Sequence, residues 1–336
     1  MTPVICGLSG PVVTAEERAL FQKAMPAGYI LFARNIDTPD QVRELTAELR
    51  AISGRADLPV LIDQEGGRVQ RLNPPHWPQH PSAAAFGEAW KVAPMTALEA
   101  ARFHGIAIGQ ELYALGISVD CLPLLDVPVP GAHDIIGDRA FGGDPNMVAS
   151  LGKALMDGLR ESGTCAIVKH IPGHGRAGAD SHKSLPVVTA SRADLAADIL
   201  PFQRLGAAPM AMTAHVLYEA IDPENCASLS STLITDTIRT EIGFGGLLMC
   251  DDIGMSALKG SLATRMTGAL DAGCDVVLHC SGDFAEMQGL FQNAPQMSDV
   301  ALKRLTKAMA WAERDPVTVN DAVEQRDELL ASITRS

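Results

Sequence analysis

An eightfold alternation of short apolar runs with helical stretches predicts a (β/α)8 barrel of the TIM type. Three observations carry this. Most of the runs are continuously apolar, as strands buried on both faces require. A helical stretch or a polar loop follows each run, and the strand count closes at eight. No Gly-x-Gly-x-x-Gly follows the first run, which weakens the doubly wound open sheet, the main competitor. With 336 residues and no linker, repeat or low-complexity segment, the chain reads as a single α/β domain, 1–336. Residues 296–336 are expected to form a helical tail packed on it.

The first strand is expected at 4–7. Thr14-Ala15-Glu16-Glu17 has capping-box form and opens a helix to residue 25. Residues 29–32 read as a second strand. Thr38 and Pro39 start a helix to about residue 52, with Pro at its first position. Strand three, 58–62, ends in Asp63-Gln64-Glu65-Gly66-Gly67-Arg68. A Pro-rich loop at 73–81 carries His76, Trp77 and His80 and is read as a surface lip. A helix follows at 95–115, then strand four at 117–122 and a long irregular stretch, 123–144. A helix at 146–162 leads to strand five, 165–168, which runs into Lys169 and His170. Pro172, Gly173 and Gly175 then force a turn around His174. Later strands are expected at 209–212, 246–250 and 274–278, with helices starting at 191–194, at 231 and at 261.

The composition excludes several function classes. A net charge of −13 with no basic patch argues against a nucleic-acid partner. Every apolar run is interrupted by Asp, Glu, Arg or Pro, so no membrane span is expected. The first basic residue is Arg18, which is not the start of a secretory leader. Seven cysteines, scattered without CxxC spacing, suit a reducing cytoplasm, and a cytoplasmic location is expected. A monomer is expected.

In a barrel of this kind the site lies at the C-terminal ends of the strands. Those ends carry Asp63, Lys169, His170, His215, Asp251 and Asp252. Loops add Arg71, Arg139, His174, Asp180 and His182. A charged residue after an apolar strand is often only the first solvated residue, but strand end after strand end carries one here. Three chemistries fit the set. His170, His174 and Asp251 could hold a metal for hydrolysis, although Pro172 and Gly173 prevent a regular helical His pair. Carbohydrate chemistry needs a carboxylate nucleophile and a separate proton donor. A non-catalytic sugar or metabolite site could use the same polar pocket. Arg71 and Arg139 could equally be tied up in structural ion pairs, and Asp252 could cap a turn or pair with a nearby base.

Asp63-Gln64-Glu65-Gly66-Gly67-Arg68-Val69-Gln70-Arg71, Lys169-His170-Ile171-Pro172-Gly173-His174-Gly175, Asp180-Ser181-His182 and Asp251-Asp252-Ile253-Gly254-Met255 together resemble glycoside hydrolase family 3. Within it they are similar to bacterial cytoplasmic β-N-acetylglucosaminidases of peptidoglycan (cell-wall) recycling. The likeness runs nearly the whole chain in order. It also takes in Ile136-Gly137-Asp138-Arg139-Ala140-Phe141 and Met212-Thr213-Ala214-His215. The resemblance implies a retaining exo-hydrolase that removes terminal β-linked N-acetylglucosamine from 1,6-anhydro-N-acetylmuramic acid muropeptides, with no cofactor or metal. By position it makes Asp251 the nucleophile and His182 the acid/base, assisted by Asp180. It makes Asp63, Arg71, Arg139, Lys169 and His170 substrate-binding residues. A histidine suits the acid/base part, since its ordinary pKa of about 6.5 lets it give and take a proton near neutrality. Cys250 and Ile171 depart from the family pattern and alter packing beside the reacting groups. A wider β-hexosaminidase or β-glucosidase, a phosphate-using N-acetylglucosamine phosphorylase and a sugar-binding sensor remain as alternatives.

Overall fold

The computed structural model describes residues 1–181, 184–312 and 315–334. Its strands are β1 (Thr2–Cys6), β2 (Pro26–Leu31), β3 (Val60–Ile62), β4 (Val119–Asp120), β5 (Cys165–Ile171), β6 (Val187–Val188), β7 (Met210–Thr213), β8 (Leu217–Tyr218), β9 (Leu247–Asp252) and β10 (Val276–His279). Eight of them close a barrel in the order β1-β10-β9-β7-β5-β4-β3-β2, and every pairing in it is parallel. Strands β6 and β8 form a separate two-stranded sheet.

The continuous apolar runs are explained by burial on both faces. In β1, Ile5 packs into the barrel interior while Val4 and Cys6 face the outer layer. In β5, Ile167 points in while Ala166 and Val168 point out. This is the period of two inherent to a strand, applied where both sides are dry.

The helices are α1 (Ala15–Ala24), α2 (Pro39–Ser53), α3 (Ala83–Val92), α4 (Pro94–Ala114), α5 (Pro145–Glu161), α6 (Leu195–Arg204), α7 (Leu262–Ala272), α8 (Phe284–Asn293), α9 (Asp299–Met309) and α10 (Ala322–Thr334). Thr14 and Glu17 make the reciprocal capping box expected at the start of α1. Thr38 caps α2 ahead of Pro39, and Asp144 caps α5 ahead of Pro145. Helices α4 and α5 cross at close range, because a Cβ on Gly105 would strike the Leu155 carbonyl and one on Gly158 the Arg102 carbonyl.

Both helices of the tail pack on the barrel. Leu305 and Ala308 of α9 join the interior cluster of the barrel, and Cys165, the first residue of β5, lies 3.4 Å from the Ala308 carbonyl. Helix α9 therefore closes the N-terminal end. Helix α10 packs on α4 and α3.

The structure differs from the sequence reading in several places. Helix α3 was not expected; its Ala-rich start follows directly on the Pro-rich loop, and Pro94 separates it from α4. Strand β4 is two residues long, although the chain beyond it still runs beside β5: the Leu122 and Pro123 carbonyls accept from Ile167 and Lys169 at 3.0 and 3.2 Å, and the Leu125 N–H donates to the Lys169 carbonyl at 2.7 Å. Strand β5 continues three residues past Val168, to Ile171, and both Lys169 and His170 lie within it. The helix expected from 231 is wound as a π-helix over Leu233–Glu241. Of the three aromatic residues of the 73–81 loop, His76 is exposed, while Trp77 and His80 are buried. No described helix is long and apolar enough to cross a membrane.

Candidate active site

The C-terminal ends of the strands surround one cavity of about 490 Å³. Asp63 follows β3 directly, Lys169 and His170 lie near the end of β5, and Asp251 and Asp252 end β9. Asp63, Arg71, Arg139, Lys169, His170 and Asp251 all line this cavity, with Glu65, Asp252, His174 and Ser181. Lys169 is only 2% exposed, so its four-carbon stem extends within the barrel and delivers the ammonium to the cavity floor.

One wall is a lattice of alternating charges. The Lys169 Nζ lies 2.9 Å from Asp63 Oδ1 and 2.6 Å from Glu65 Oε1. Arg71 reaches Asp63 Oδ2 at 3.2 Å. Arg139 grips Glu65 with two hydrogen bonds of 2.8 Å, from Nε and Nη2. Such forked pairing fixes both partners in one plane. Burial works against the charges on Asp63, Glu65, Arg139 and Lys169, but the pairing outweighs it. Lys169 and Arg71 hold Asp63 well below the usual carboxylate range. Lys169 and Arg139 do the same for Glu65, while Asp63 and Glu65 raise the Lys169 pKa.

The opposite wall carries Asp251. Its Oδ1 accepts the Asp252 backbone N–H at 2.8 Å. Burial would raise its pKa, yet nearby His170 and His215, the Asp252 N–H and Lys169 lower it on balance, so the carboxylate is held anionic. Asp252 serves differently. Its Oδ1 accepts N–H groups from Gly254 at 2.9 Å and Cys280 at 3.1 Å, which ties the end of β9 to the end of β10. Burial raises its pKa. His215 accepts from or donates to Ser228 Oγ at 2.7 Å through Nδ1, and its Nε2 lies 3.0 Å from the Asp252 carbonyl. A carbonyl only accepts, so Nε2 carries the proton and His215 steadies the backbone of β9.

His170 and His174 are organised by Asp126. His170 Nδ1 is 2.8 Å from Asp126 Oδ2, and Asp126 Oδ1 accepts the backbone N–H groups of His170 at 3.1 Å and His174 at 2.6 Å. Burial opposes the charge, but these partners bring the Asp126 pKa down to about 2. His174 is pushed down to about 4, first by burial and then by His170, and its Nε2 faces Ser181 Oγ at 3.3 Å. The imidazoles considered as metal ligands are thus turned toward Asp126 and Ser181. Among the described residues no group of three or more His, Cys, Asp or Glu is placed to hold a metal ion.

Of the residues named from the sequence, Asp180 is half-buried at the start of the loop whose next residue, Ser181, lines the cavity. His182 lies outside the described residues. Sequence reasoning missed Glu65 and Asp126 as site residues. Glu65 sits inside a motif already quoted, two positions from Asp63. Asp126 lies in a Pro-rich stretch with no strand to mark it. Arg139 reaches the cavity and is also the structural ion-pair partner that the sequence left as an alternative.

The chain matches the model of the glycosyl hydrolase family 3 N terminal domain over residues 8–310. A protein named beta-hexosaminidase from Aromatoleum aromaticum is 37% identical over 308 residues, covering 90% of this chain and 86% of the relative. Another so named, from Thioalkalivibrio sulfidiphilus, is 38% identical over 320 residues, covering 93% and 91%. The crystal structure of NagZ from Neisseria gonorrhoeae in complex with N-trifluoroacetyl-D-glucosamine superposes with a TM-score of 0.88 at 31% identity, covering 98% of this chain and 97% of that one. A barrel whose strand ends gather these groups, matched at this identity along nearly its whole length, belongs to glycosyl hydrolase family 3, and the protein is a glycoside hydrolase.

Proposed function

We propose that the protein is a retaining β-N-acetylglucosaminidase acting in the cytoplasm on terminal β-linked N-acetylglucosamine of 1,6-anhydro-N-acetylmuramic acid muropeptides. The observation that carries this reading is the placement of Asp251, anionic and fixed by a rigid strand, across one cavity from the Asp63–Lys169 pair. The names of its relatives, beta-hexosaminidase and NagZ, support the sugar class. Asp63 and Lys169 offer acceptors and donors to sugar hydroxyls, with Arg71 at the rim. Asp251 attacks the anomeric carbon as His182 protonates the leaving oxygen, and a glycosyl-aspartate forms. His182 then takes a proton from water, which releases the sugar with its anomeric configuration retained. Asp180 holds the imidazole in its working tautomer, as an orienting carboxylate does in other hydrolases. The position of Ser181 on the cavity supports assigning the proton donor to this loop.

Orientation is the chief contribution of the strand-borne carboxylate, since a fixed nucleophile turns a bimolecular attack into an intramolecular one. Mass spectrometry after a slow 5-fluoro N-acetylglucosaminide tests the assignment. The sugar is expected on the peptide containing Asp251, and Asp251→Ala is expected to lower kcat on the order of a thousandfold or more. Label on any other residue removes the mechanism. A panel of aryl β-glycosides differing at the 2-position tests the sugar, with the 2-acetamido compound expected to be preferred. Sugar 1-phosphate appearing in phosphate buffer would replace hydrolysis by phosphorolysis.

A further inference from the structure

A buried arginine far from the reacting groups is connected to the sugar wall. Arg326 of α10 is 1% exposed. Its Nη1 lies 2.7 Å from Nδ1 of His80 and 3.3 Å from Nδ1 of His104. A guanidinium can only donate, so both imidazoles must be unprotonated at Nδ1. His80 then carries its proton on Nε2 and gives it to Glu111 Oε2 at 3.1 Å. Burial, followed by His80 and Arg326, pushes the His104 pKa well down. The only carboxylate recorded against Arg326 among the described residues is Asp327, 2.7 Å away and itself more than half exposed. A buried cation facing two neutral rings is a costly way to hold a helix down. Apolar packing of α10 on α4 would do that alone.

The backbone of His80 shows what the arrangement controls. Its N–H donates to Gln70 Oε1 at 3.0 Å, and its carbonyl accepts the Gly67 N–H at 2.9 Å. Gln70 Nε2 donates onward to the carbonyls of Leu72 at 2.7 Å and Pro78 at 2.8 Å. Gly67 and Gln70 belong to the loop that carries Glu65 and Arg71. There is no slack between the two segments: at Gly66, which has a φ of 82°, a Cβ would strike the Pro81 carbonyl. Whatever sets His80 therefore sets the 63–71 loop.

We propose that Arg326 is a positioning residue of the sugar site. By fixing the ring and tautomer of His80 it seats residues 78–82 against the 63–71 loop, and so sets where Glu65 and Arg71 stand at the cavity. The catalytic consequence rests on the glycosidase reading above; the effect on the loop does not.

The test uses the full chain carrying Arg326→Met, which removes the donors and keeps the bulk. Amide hydrogen exchange in peptides spanning 63–82 is expected to quicken about tenfold, with β9 peptides unchanged. KM for an aryl β-N-acetylglucosaminide is expected to rise about tenfold while kcat stays within about threefold. Wild-type exchange in 63–82, or a wild-type KM, overturns the proposal whatever happens to the melting temperature. If the variant does not fold, Arg326→Gln, polar but too short to span to His80, is read by the same criteria. A wild-type protein inactive on every N-acetylglucosaminide would sink the functional reading and leave the exchange measurement to decide this one.

Discussion

His174 shows how a single side chain links burial to pH. Its pKa falls from an ordinary value near 6.5 to about 4 in the folded protein. The unfolded chain therefore binds the extra proton first, and stability is lost as pH falls from about 6.5 toward 4. The size is roughly 2 kcal/mol between pH 7.5 and 5, from the shift converted at 1.36 kcal/mol per unit. His104, also depressed by burial, acts in the same direction. Urea denaturation at the two pH values should show the wild type losing more stability than His174→Gln, with the difference between them near that size. Equal losses would mean that His174 does not titrate in this window. At this scale the sequence was informative about which residues reach the cavity and silent about their partners. Lys169 and Asp63 were legible because each interrupts an apolar run. Their lattice was not, since Glu65 and Arg139 are 74 positions apart and nothing local marks the pair.

Between α4 and α5 the ordinary rule for glycine reverses. An interior helical Gly→Ala change usually stabilises by about 1 kcal/mol. At Gly158 the added methyl would meet the Arg102 carbonyl and the Ile106 N–H across the crossing. Both are backbone, so the helices must separate. Gly158→Ala is expected to destabilise by about 1–3 kcal/mol, the usual cost of overpacking, read as a lower thermal midpoint. A neutral or higher midpoint would show that the crossing has slack. The elements themselves were largely legible in the sequence. Capped starts at Thr14 and Thr38 are local chemistry, and a strand buried on both faces announces itself by an unbroken apolar run. The ends were less so. The reading stopped β5 at Val168 because Lys169 and His170 look solvated, but in a barrel the ladder to β7 continues to Ile171, and charges inside the strand are accommodated by Asp63, Glu65 and Asp126 from the segments that follow β3 and β4. The small sheet of β6 and β8 had no signal beyond the paired valines at 187 and 188.

Across the whole molecule, the two ends of the barrel are separated by layers of interior side chains. Helix α9 seals one end through Leu305 and Ala308, and chemistry occupies the other. Leu305→Ala is expected to cost about 2–5 kcal/mol of stability through the cavity it leaves, with kcat unchanged at temperatures where the variant is folded. A fall in kcat there would show that the seal reaches the catalytic face. The charge lattice has a consequence at this scale as well. Asp63, Glu65, Asp251 and Asp252 face Arg34, Arg68, Arg71, Arg139 and Lys169 around one cavity, four formal negative charges against five positive, so an uncharged monosaccharide entering it meets local dipoles with a small net monopole. Mobile ions screen monopoles and leave close hydrogen bonds nearly untouched. Inhibition by free N-acetylglucosamine should accordingly be indifferent to sodium chloride from low to several-hundred-millimolar concentration, even though the protein as a whole carries a charge of −13.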